Sequence, residues 1–314
     1  MAQSLLVVGS IAFDTVRTPF GEARDVLGGS ATYSCVAAAL YSPVRLVGVV
    51  GEDFPDEYRR VLESRRIDTT GLQVVEGGKT FRWSGSYEGD MNEAVTEDVR
   101  LNVFGDFEPV IPEAWRQTDL VFLANGSPVT QMSVLDQVER PALVVADTMN
   151  LWIETTRDEL LALVKRIDGL VLNDGEAVLL TGEDDLAGAG ERILELGPKF
   201  VVIKMGSAGS RLIGRDLIPP VDGRPTILKA IFPAYRGAEV RDPTGAGDSF
   251  AGGMLGSLAR LDHPVTLRDL NSAVEYGTVT ASFAIEDFSV RRLDALTIDE
   301  IDGRLHEYQQ MLDS

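Results

Sequence analysis

The sequence predicts an α/β fold in three layers, a Rossmann-like and mostly parallel sheet between two layers of helices, and two observations support this prediction. Six short apolar runs, each with the length of a buried strand, alternate along the chain with helical segments. This alternation is typical of parallel sheets covered by helices on both faces. In addition, residues 15–27 and 72–107 alternate polar and apolar side chains. They predict a small β-sheet lid, so that residues 1–314 form a single domain that includes a lid.

The periodicity of the apolar residues sets the predicted elements in order. Strands are predicted at 5–8, 44–50, 120–123, 142–146, 169–172 and 200–203. Helices are predicted at 31–40, 56–65, 156–164, 176–181, 186–196 and 249–261. Ligands of such sheets bind beyond the carboxyl ends of the strands. Asp14 is therefore a candidate at the end of the first strand. Asn150, with Asp147 and Trp152, follows the fourth strand and is a candidate acceptor-binding residue.

Composition limits the classes of function. The chain is 44% hydrophobic and 25% charged, with a formal net charge of −20, which is compatible with one globular enzyme domain. This negative charge argues against nucleic acid or an anionic membrane as a partner, since both attract basic surfaces. The sequence has no apolar run of membrane-spanning length, and Met1 leads into a strand without a basic signal region. Because Cys35 is the single cysteine, no internal disulfide can form, and we expect a cytoplasmic protein.

The most informative segment is 242–253, which reads Asp-Pro-Thr-Gly-Ala-Gly-Asp-Ser-Phe-Ala-Gly-Gly. Gly245, Ala246 and Gly247 form a small-residue turn that ends in Asp248, and a helical pattern follows. Helix N-termini attract anions, and glycines let a phosphate approach the backbone closely. Asp248 is therefore placed to orient a hydroxyl that attacks a phosphate, and we expect the helix N-terminus to keep it ionised near neutral pH. The alternative is an ordinary turn in which Asp248 only caps the helix.

Segment 242–253 resembles the C-terminal signature of the ribokinase family, also called the PfkB carbohydrate kinases. Four further segments resemble motifs of this family in the same order: the first strand with its aspartate, the paired glycines, the Asn-x-x-Glu motif and the strand and turn of the nucleotide site. They lie at residues 5–14, 28–31, 173–176 and 204–209. The resemblance covers nearly the whole chain. It implies a ribokinase-like fold and an ATP-dependent kinase that phosphorylates a hydroxymethyl group of a small sugar or sugar-like alcohol.

The resemblance also implies roles for individual residues. Asp248 is the implied base, and the turn at 245–247 is the implied anion hole for charge on the transferred phosphoryl group. The implied acceptor-binding residues are Asp14, Gly28, Gly29 and Tyr33. The implied nucleotide-binding residues are Asn173, Lys204, Gly206 and Gly209, together with Gly245 and Gly247. Glu176 is expected to bind Mg²⁺ through water, and Asp242 and Thr244 match the first part of a loop that binds a monovalent cation such as K⁺.

Several positions leave alternatives open. Tyr33 stands where the family usually has Asn, which alters a sugar-hydroxyl contact and weakens the case for ribose itself. Lys204 stands where the family commonly has Thr, and it is either a cation for the nucleotide phosphates or a solvated surface lysine. Residues 284–289 do not match the later cation loop, so K⁺ activation stays open. Asn173 and Glu176 also fit a helix cap and a first-turn acid, and both functions are compatible.

Three hypotheses for function follow. A sugar kinase comes first, and an adenosine-like nucleoside kinase or a cyclitol kinase with the same chemistry comes second. A non-catalytic sugar-binding regulator is least favoured because Asp248 and its turn are intact. The expected partners are the acceptor and ATP. In the lid, Phe81, Trp83 and Tyr87 share a parity, so a regular strand places them on one face. That face either covers the acceptor or packs against the lid of a second subunit in a homodimer.

Overall fold

The computed structural model describes residues 3–89, 91–92, 94–215 and 226–313. These ranges contain thirteen β-strands and eleven α-helices. The strands are β1 (Leu5–Val8), β2 (Ala12–Thr18), β3 (Gly21–Gly28), β4 (Val44–Gly51), β5 (Ile67–Val75), β6 (Phe81–Tyr87), β7 (Ala94–Arg100), β8 (Leu120–Leu123), β9 (Leu143–Asp147), β10 (Gly169–Asn173), β11 (Phe200–Lys204), β12 (Ser210–Arg215) and β13 (Ile227–Phe232). The helices are α1 (Ser30–Ala39), α2 (Asp56–Ser64), α3 (Pro128–Leu135), α4 (Asn150–Thr155), α5 (Arg157–Val164), α6 (Asp174–Thr181), α7 (Leu186–Leu196), α8 (Ala246–Leu258), α9 (Leu267–Ala284), α10 (Arg291–Ala295) and α11 (Ile298–Leu312).

The larger sheet has nine strands in the order β13-β12-β11-β10-β9-β8-β1-β4-β5. The seven strands from β11 to β5 are parallel, and β12 and β13 are antiparallel at one edge. The six predicted strands are found as β1, β4, β8, β9, β10 and β11, each within one residue of its predicted ends. The predicted fold class, a mostly parallel sheet between helical layers, is confirmed.

The large sheet separates two hydrophobic cores. Along β1, Leu5 and Val7 enter one core, whereas Leu6 and Val8 enter the other, as the two-residue period of a strand requires. Helices α1, α2 and α8 to α11 contribute side chains to the first core, and α3 to α7 contribute to the second. Among the helices of the described ranges, none is long and apolar enough to cross a membrane.

Helices α1 and α8 approach each other backbone to backbone on the first face of the sheet. A methyl group added at Gly252 would lie 2.3 Å from the carbonyl oxygen of Ser34, and one at Gly256 would lie 2.6 Å from that of Ala38. Only residues without a side chain permit this approach. Both contact positions advance by four residues, so the two helices run parallel and their N-termini meet at the same end.

The smaller sheet has the order β3-β2-β6-β7. Strand β2 pairs antiparallel with β3 and parallel with β6. Two boundaries differ from the predicted lid segments at 15–27 and 72–107. Residues 72–75 lie in β5 of the large sheet, because their pairing with β4 continues to the end of the strand. The smaller sheet also begins earlier than predicted, at Ala12.

The aromatic side chains of β6 occupy two environments. A β-bulge at Glu97 shifts the pairing of β7 with β6, whereas residues 81–86 of β6 keep an unbroken register with β2. Phe81 stacks on Phe104 with ring centroids 5.4 Å apart, whereas Trp83 and Tyr87 belong to a small apolar cluster within the lid. Trp83 and Tyr87 therefore share an environment, as their parity predicts, while Phe81 packs against a different aromatic residue at the start of the strand.

Candidate active site

The N-terminus of α8 carries the turn at 245–247. Gly245 caps the helix in the left-handed conformation, with φ 72°, and a methyl group there would lie 2.4 Å from the ring of Tyr33. Both constraints require glycine. The helix begins at Ala246, three residues before its predicted start at 249, so Asp248 lies in its first turn. The first N–H groups of a helix have no partner within it, and in α8 they lie beside the carboxylate of Asp248.

Lys204 lies against this turn. It ends β11, and its Nζ is 3.2 Å from Oδ2 of Asp147, which ends β9. The two side chains are 18% and 5% exposed, so Lys204 is not a solvated surface lysine. A methyl group added at Gly247 would lie 2.9 Å from Nζ of Lys204. The structure thus places one ammonium group beside the predicted anion hole.

Four charged groups interact in this part of the site. Burial raises the pKa of Asp248 well above its usual range, and the charge of Asp147 raises it further, while Lys204 opposes both effects. Burial and Asp147 also raise the pKa of Glu176 to about 7. Burial acts to lower the pKa of Lys204, but Asp147 and Glu176 outweigh it and raise that pKa. The pKa of Asp248 is therefore shifted in the direction opposite to the one that a helix N-terminus favours, because desolvation and neighbouring carboxylates act more strongly.

Asn173 and Glu176 form a capping box at the start of α6. Oδ1 of Asn173 accepts the N–H of Glu176 at 2.7 Å, and Oε2 of Glu176 accepts the N–H of Asn173 at 2.7 Å. Within the described ranges, no three or more His, Cys, Asp or Glu side chains are grouped to hold a metal ion. Mg²⁺ commonly keeps several waters and needs few protein ligands. The buried carboxylate of Glu176 uses only Oε2 in the cap, and its other oxygen fits a magnesium ion bound through water.

Asp14 lies in the lid sheet and not at the end of the first strand, because β1 ends at Val8. A bulge in β3 places Arg24 and Asp25 opposite Thr15, whereas Asp14 itself stays in register with Val26 and Trp83. Its carboxylate contacts the paired glycines: a methyl group at Gly28 would lie 1.9 Å from Oδ2, and the N–H of Gly29 donates to the carboxylate. Burial raises the pKa of Asp14 to about 7, and Asp242 adds to the rise.

The backbone of Gly29 is fixed by close contacts of its own. Its φ is 95°, and a methyl group there would lie 2.6 Å from the carbonyl oxygen of Ser10. Gly29 caps α1 as Gly245 caps α8. The two glycine turns therefore flank one site at the paired N-termini of these helices.

The buried carboxylate of Asp242 joins the turn to the loop after α9. Its Oδ1 accepts the N–H of Thr244 at 2.9 Å, and its Oδ2 accepts the N–H of Ser289 at 3.4 Å. The N–H of Asp242 donates to the carbonyl oxygen of Ile285 at 3.2 Å. The segment that does not match the family's later cation loop thus lies beside Asp242, with carboxylate, carbonyl and hydroxyl oxygens close together. Oxygen atoms of these kinds are the ligands that hard cations take in proteins.

Tyr33 packs beneath the turn at 245–247. Its ring is buried, and its hydroxyl has no hydrogen-bond partner among the described residues. Burial raises the pKa of Tyr33 well above its usual value, and Asp14 and Asp242 raise it further. The hydroxyl of Tyr87 interacts with the Thr244 hydroxyl at 3.4 Å. The ring of Tyr33, which stands where the family usually has asparagine, therefore supports the turn at 245–247 from below.

The remaining predicted residues lie around this centre. Gly206 and Gly209 bound a short 3₁₀ turn after β11, and Asn150 is the exposed first residue of α4. Asn125 was not predicted. It follows β8, its backbone oxygen accepts the Ser30 hydroxyl at 3.0 Å and its side chain accepts the Trp152 indole N–H at 3.0 Å. The rule that ligands bind beyond the carboxyl ends of strands would have identified it.

Comparison with known proteins finds carbohydrate kinases and nucleoside kinases in sequence and in structure. The model of the pfkB family carbohydrate kinases matches residues 2–295. A cytidine kinase of Thermococcus kodakarensis is 30% identical over 260 residues, which cover 82% of this chain and 88% of the relative. A nucleoside kinase of Methanothermobacter thermautotrophicus is 26% identical over 91% of this chain and 90% of its own length. The solved ribokinase of Giardia lamblia has a TM-score of 0.79 at 18% identity, and the match covers 98% and 100% of the two chains.

Proposed function

The chain belongs to the pfkB family of carbohydrate kinases, and from this membership we propose that it transfers the terminal phosphoryl group of ATP to the hydroxymethyl group of a nucleoside. As a member of this family it is a phosphotransferase that uses ATP, with a sugar or a nucleoside as its acceptor. A non-catalytic regulator is disfavoured, since the chain keeps both the carboxylate of Asp248 and the turn at 245–247.

A single observation carries the proposed mechanism: Asp248, the turn at 245–247 and the ammonium of Lys204 meet at the N-terminus of α8. In-line phosphoryl transfer needs an acceptor for the hydroxyl proton and donors for the charge that develops on the phosphoryl oxygens. Asp248 takes or steers the proton. The N–H groups of the turn and the Lys204 ammonium stabilise the charge. Because the pKa of Asp248 is raised, its carboxylate is also a stronger base than an exposed aspartate.

We place the acceptor between the lid and the two glycine turns. The carboxylate of Asp14, with the backbone at Gly28 and Gly29, would accept and shape the hydroxyl groups of a ribosyl unit, while Asn150 lies at the outer edge. Tyr33 removes the amide that other members of the family present to a free sugar. Since two relatives of similar length act on cytidine and on nucleosides, a nucleoside is favoured over a free sugar.

On the donor side, Asn173, Gly206 and Gly209 would bind the nucleotide, and Glu176 would bind Mg²⁺ through water. The magnesium ion, when bound, neutralises charge on the donor phosphates. Asp242 and Thr244 would contribute to a site for K⁺ or another monovalent cation. This site predicts faster turnover in KCl than in tetramethylammonium chloride at equal ionic strength, and equal rates in the two salts would argue against it.

We further propose a homodimer through the lid and a reducing, cytoplasmic location. Strand β7 is exposed along its whole length at the edge of the smaller sheet, and Val95 and Val99 are 62% and 49% exposed on it. An unprotected edge of this kind can pair with another strand. Sedimentation at several concentrations tests the dimer, and a Val95→Lys variant that remains dimeric would argue against this surface. The free thiol of Cys35 is buried, which fits a reducing compartment.

An acceptor panel tests the proposed function. Purified protein with ATP and Mg²⁺ is incubated with cytidine, uridine, adenosine, inosine, ribose, fructose and myo-inositol, and products are identified by mass. We expect a nucleoside monophosphate from at least one nucleoside, and Asp248→Asn serves as the inactive control. A phosphorylated free sugar with no phosphorylated nucleoside would assign the sugar kinase instead. ATP hydrolysis without a phosphorylated acceptor would contradict both.

A further inference from the structure

We propose that Asp147 is a positioning residue for phosphoryl transfer: its carboxylate holds the Lys204 ammonium against the turn at 245–247, where the transferred phosphoryl group is expected to lie. The inference rests on the proposed function, because it concerns the same site. Asp147 itself does not touch the reacting atoms in this scheme. It acts through Lys204.

The sheet order sets the span that this contact crosses. Asp147 ends β9 and Lys204 ends β11, and β10 lies between them. Lys204 therefore extends sideways over the end of a neighbouring strand to reach its partner at 3.2 Å. A flexible lysine side chain held over that span loses considerable rotamer freedom, so it needs a fixed partner to remain there.

Asp147 is itself fixed. Its Oδ1 accepts the N–H of Thr148 at 2.8 Å, which leaves Oδ2 for Lys204. Its backbone oxygen accepts the side-chain amide of Gln131 at 3.0 Å. A buried carboxylate with one oxygen bound to the backbone can point its second oxygen in one direction only. This geometry suits a positioning role.

Two other carboxylates compete for the same ammonium. Glu176 and Asp248 act on Lys204 through charge, whereas Asp147 also accepts its hydrogen bond. If Lys204 moved to Glu176, it would leave the turn and pair with the acid of the α6 cap. If it moved onto Asp248, it would neutralise the proposed base. The bond to Asp147 keeps the ammonium beside Gly247 and leaves Asp248 free to meet the acceptor hydroxyl.

The two possible effects of Asp147 on phosphate binding have opposite signs. As a negative charge, Asp147 repels the nucleotide phosphates, so neutralising it should strengthen nucleotide binding. As the anchor of Lys204, it supports phosphate binding, so removing it should weaken nucleotide binding. The sign of the effect of Asp147→Asn therefore separates the two roles, and comparison with a variant that lacks the ammonium isolates the anchor.

The experiment is a double-mutant cycle on Asp147→Asn and Lys204→Met. Binding of a non-hydrolysable ATP analogue with Mg²⁺ is measured by calorimetry, and kcat is measured with the best acceptor. We expect Asp147→Asn alone to weaken analogue binding and to lower kcat, each by about 10-fold, the usual range for one hydrogen bond between charged groups. On the Lys204→Met background, the same change should cause no further loss. Asp147→Glu should recover part of the activity.

Asp168→Asn is the matched control. Asp168 precedes β10 and pairs at 2.7 Å with Lys199, which precedes β11, at the edge of the sheet opposite to the site, and its removal should leave kcat and analogue binding unchanged. If Asp147→Asn weakens analogue binding equally in the wild type and in Lys204→Met, Asp147 has a merely structural role. If it strengthens binding in both, its charge acts directly on the phosphates. Either outcome overturns the proposal. The binding cycle decides the matter even if no tested acceptor is phosphorylated, whereas failure of the panel alone counts against the proposed function.

Discussion

Replacing Asp14 with asparagine is expected to stabilise the free protein at neutral pH while it damages acceptor binding. Asp14 is 4% exposed, and its pKa rises from 3.8 to about 7, first because of burial. A carboxyl with a higher pKa in the folded than in the unfolded chain binds its proton more tightly when folded. Its favourable contribution is complete below pH 3.8 and is lost as the pH rises to about 7. Above that pH the fold carries a poorly solvated charge.

The magnitude follows from the size of the pKa rise. At about 1.36 kcal/mol for each pH unit, a rise from 3.8 to about 7 corresponds to at most about 4 kcal/mol. Relaxation and water entry reduce such penalties, so we expect Asp14→Asn to gain about 2 kcal/mol at pH 8. The asparagine oxygen can still accept the Gly29 N–H. The difference should shrink as the pH falls from 7 and should vanish only below pH 3.8, where the carboxyl is protonated in both the folded and the unfolded chain.

Urea unfolding at pH 5, 6, 7 and 8 measures this difference, and initial rates give the acceptor KM. In the variant the acceptor hydroxyl no longer has a charged hydrogen-bond partner, so the acceptor KM should rise by about 10-fold to 100-fold. Asp168→Asn, which removes an ion-paired carboxylate, should not gain stability in the same series. A stability difference for Asp14→Asn that does not change with pH would refute the burial argument, and an unchanged KM would refute the acceptor assignment.

Three further substitutions test the site. Asp248→Asn should lower kcat by about 10²-fold with little change in binding of an ATP analogue, and wild-type turnover would contradict the assignment. Gly247→Ala places a methyl group 2.9 Å from Nζ of Lys204 and should lower kcat more than it raises the acceptor KM. Gly303→Ala, which meets nothing within 4 Å, is its control. Gly28→Ala displaces the Asp14 carboxylate, so steady-state rates should show mainly a raised acceptor KM, and a change in kcat alone would speak against this contact.

Much of the fold could be predicted because hydrophobic periodicity reports local structure. The runs that became β1, β8 and β10 are buried on both faces of the sheet, so their continuous apolar sequence is unambiguous. The lid was harder to delimit. Residues 72–75 mix polar and apolar side chains and are all at least partly exposed, because β5 is the edge of the large sheet. Alternation reveals exposure on one face but not the sheet to which a strand belongs.

The site was predicted where it depends on neighbours in sequence and missed where it depends on sheet order. The turn at 245–247 and the cap of Asn173 by Glu176 are local, and their motifs are visible in the chain. The pairing of Lys204 with Asp147 spans 57 positions and arises only because β9 and β11 flank β10. The raised pKa of Asp248 likewise depends on carboxylates from distant segments, and no local pattern contains them.

The charge balance of the site explains why it is costly to the free protein. Two buried carboxyls, Asp14 and Glu176, have pKa values raised to about 7, so both lose stabilising free energy between about pH 4 and pH 7. The positive charge of Lys204 offsets the negative charge of Asp147 and Glu176 on the nucleotide side of the site, because Lys204 pairs with Asp147. Among the described residues, no cation contributes to the pKa shift of Asp14. Its ionised form is instead stabilised when the hydroxyl of a bound acceptor donates a hydrogen bond to it. Acceptor binding should therefore raise the melting temperature more at pH 8 than at pH 6, and an equal rise at both values would show that Asp14 is not the group the acceptor meets.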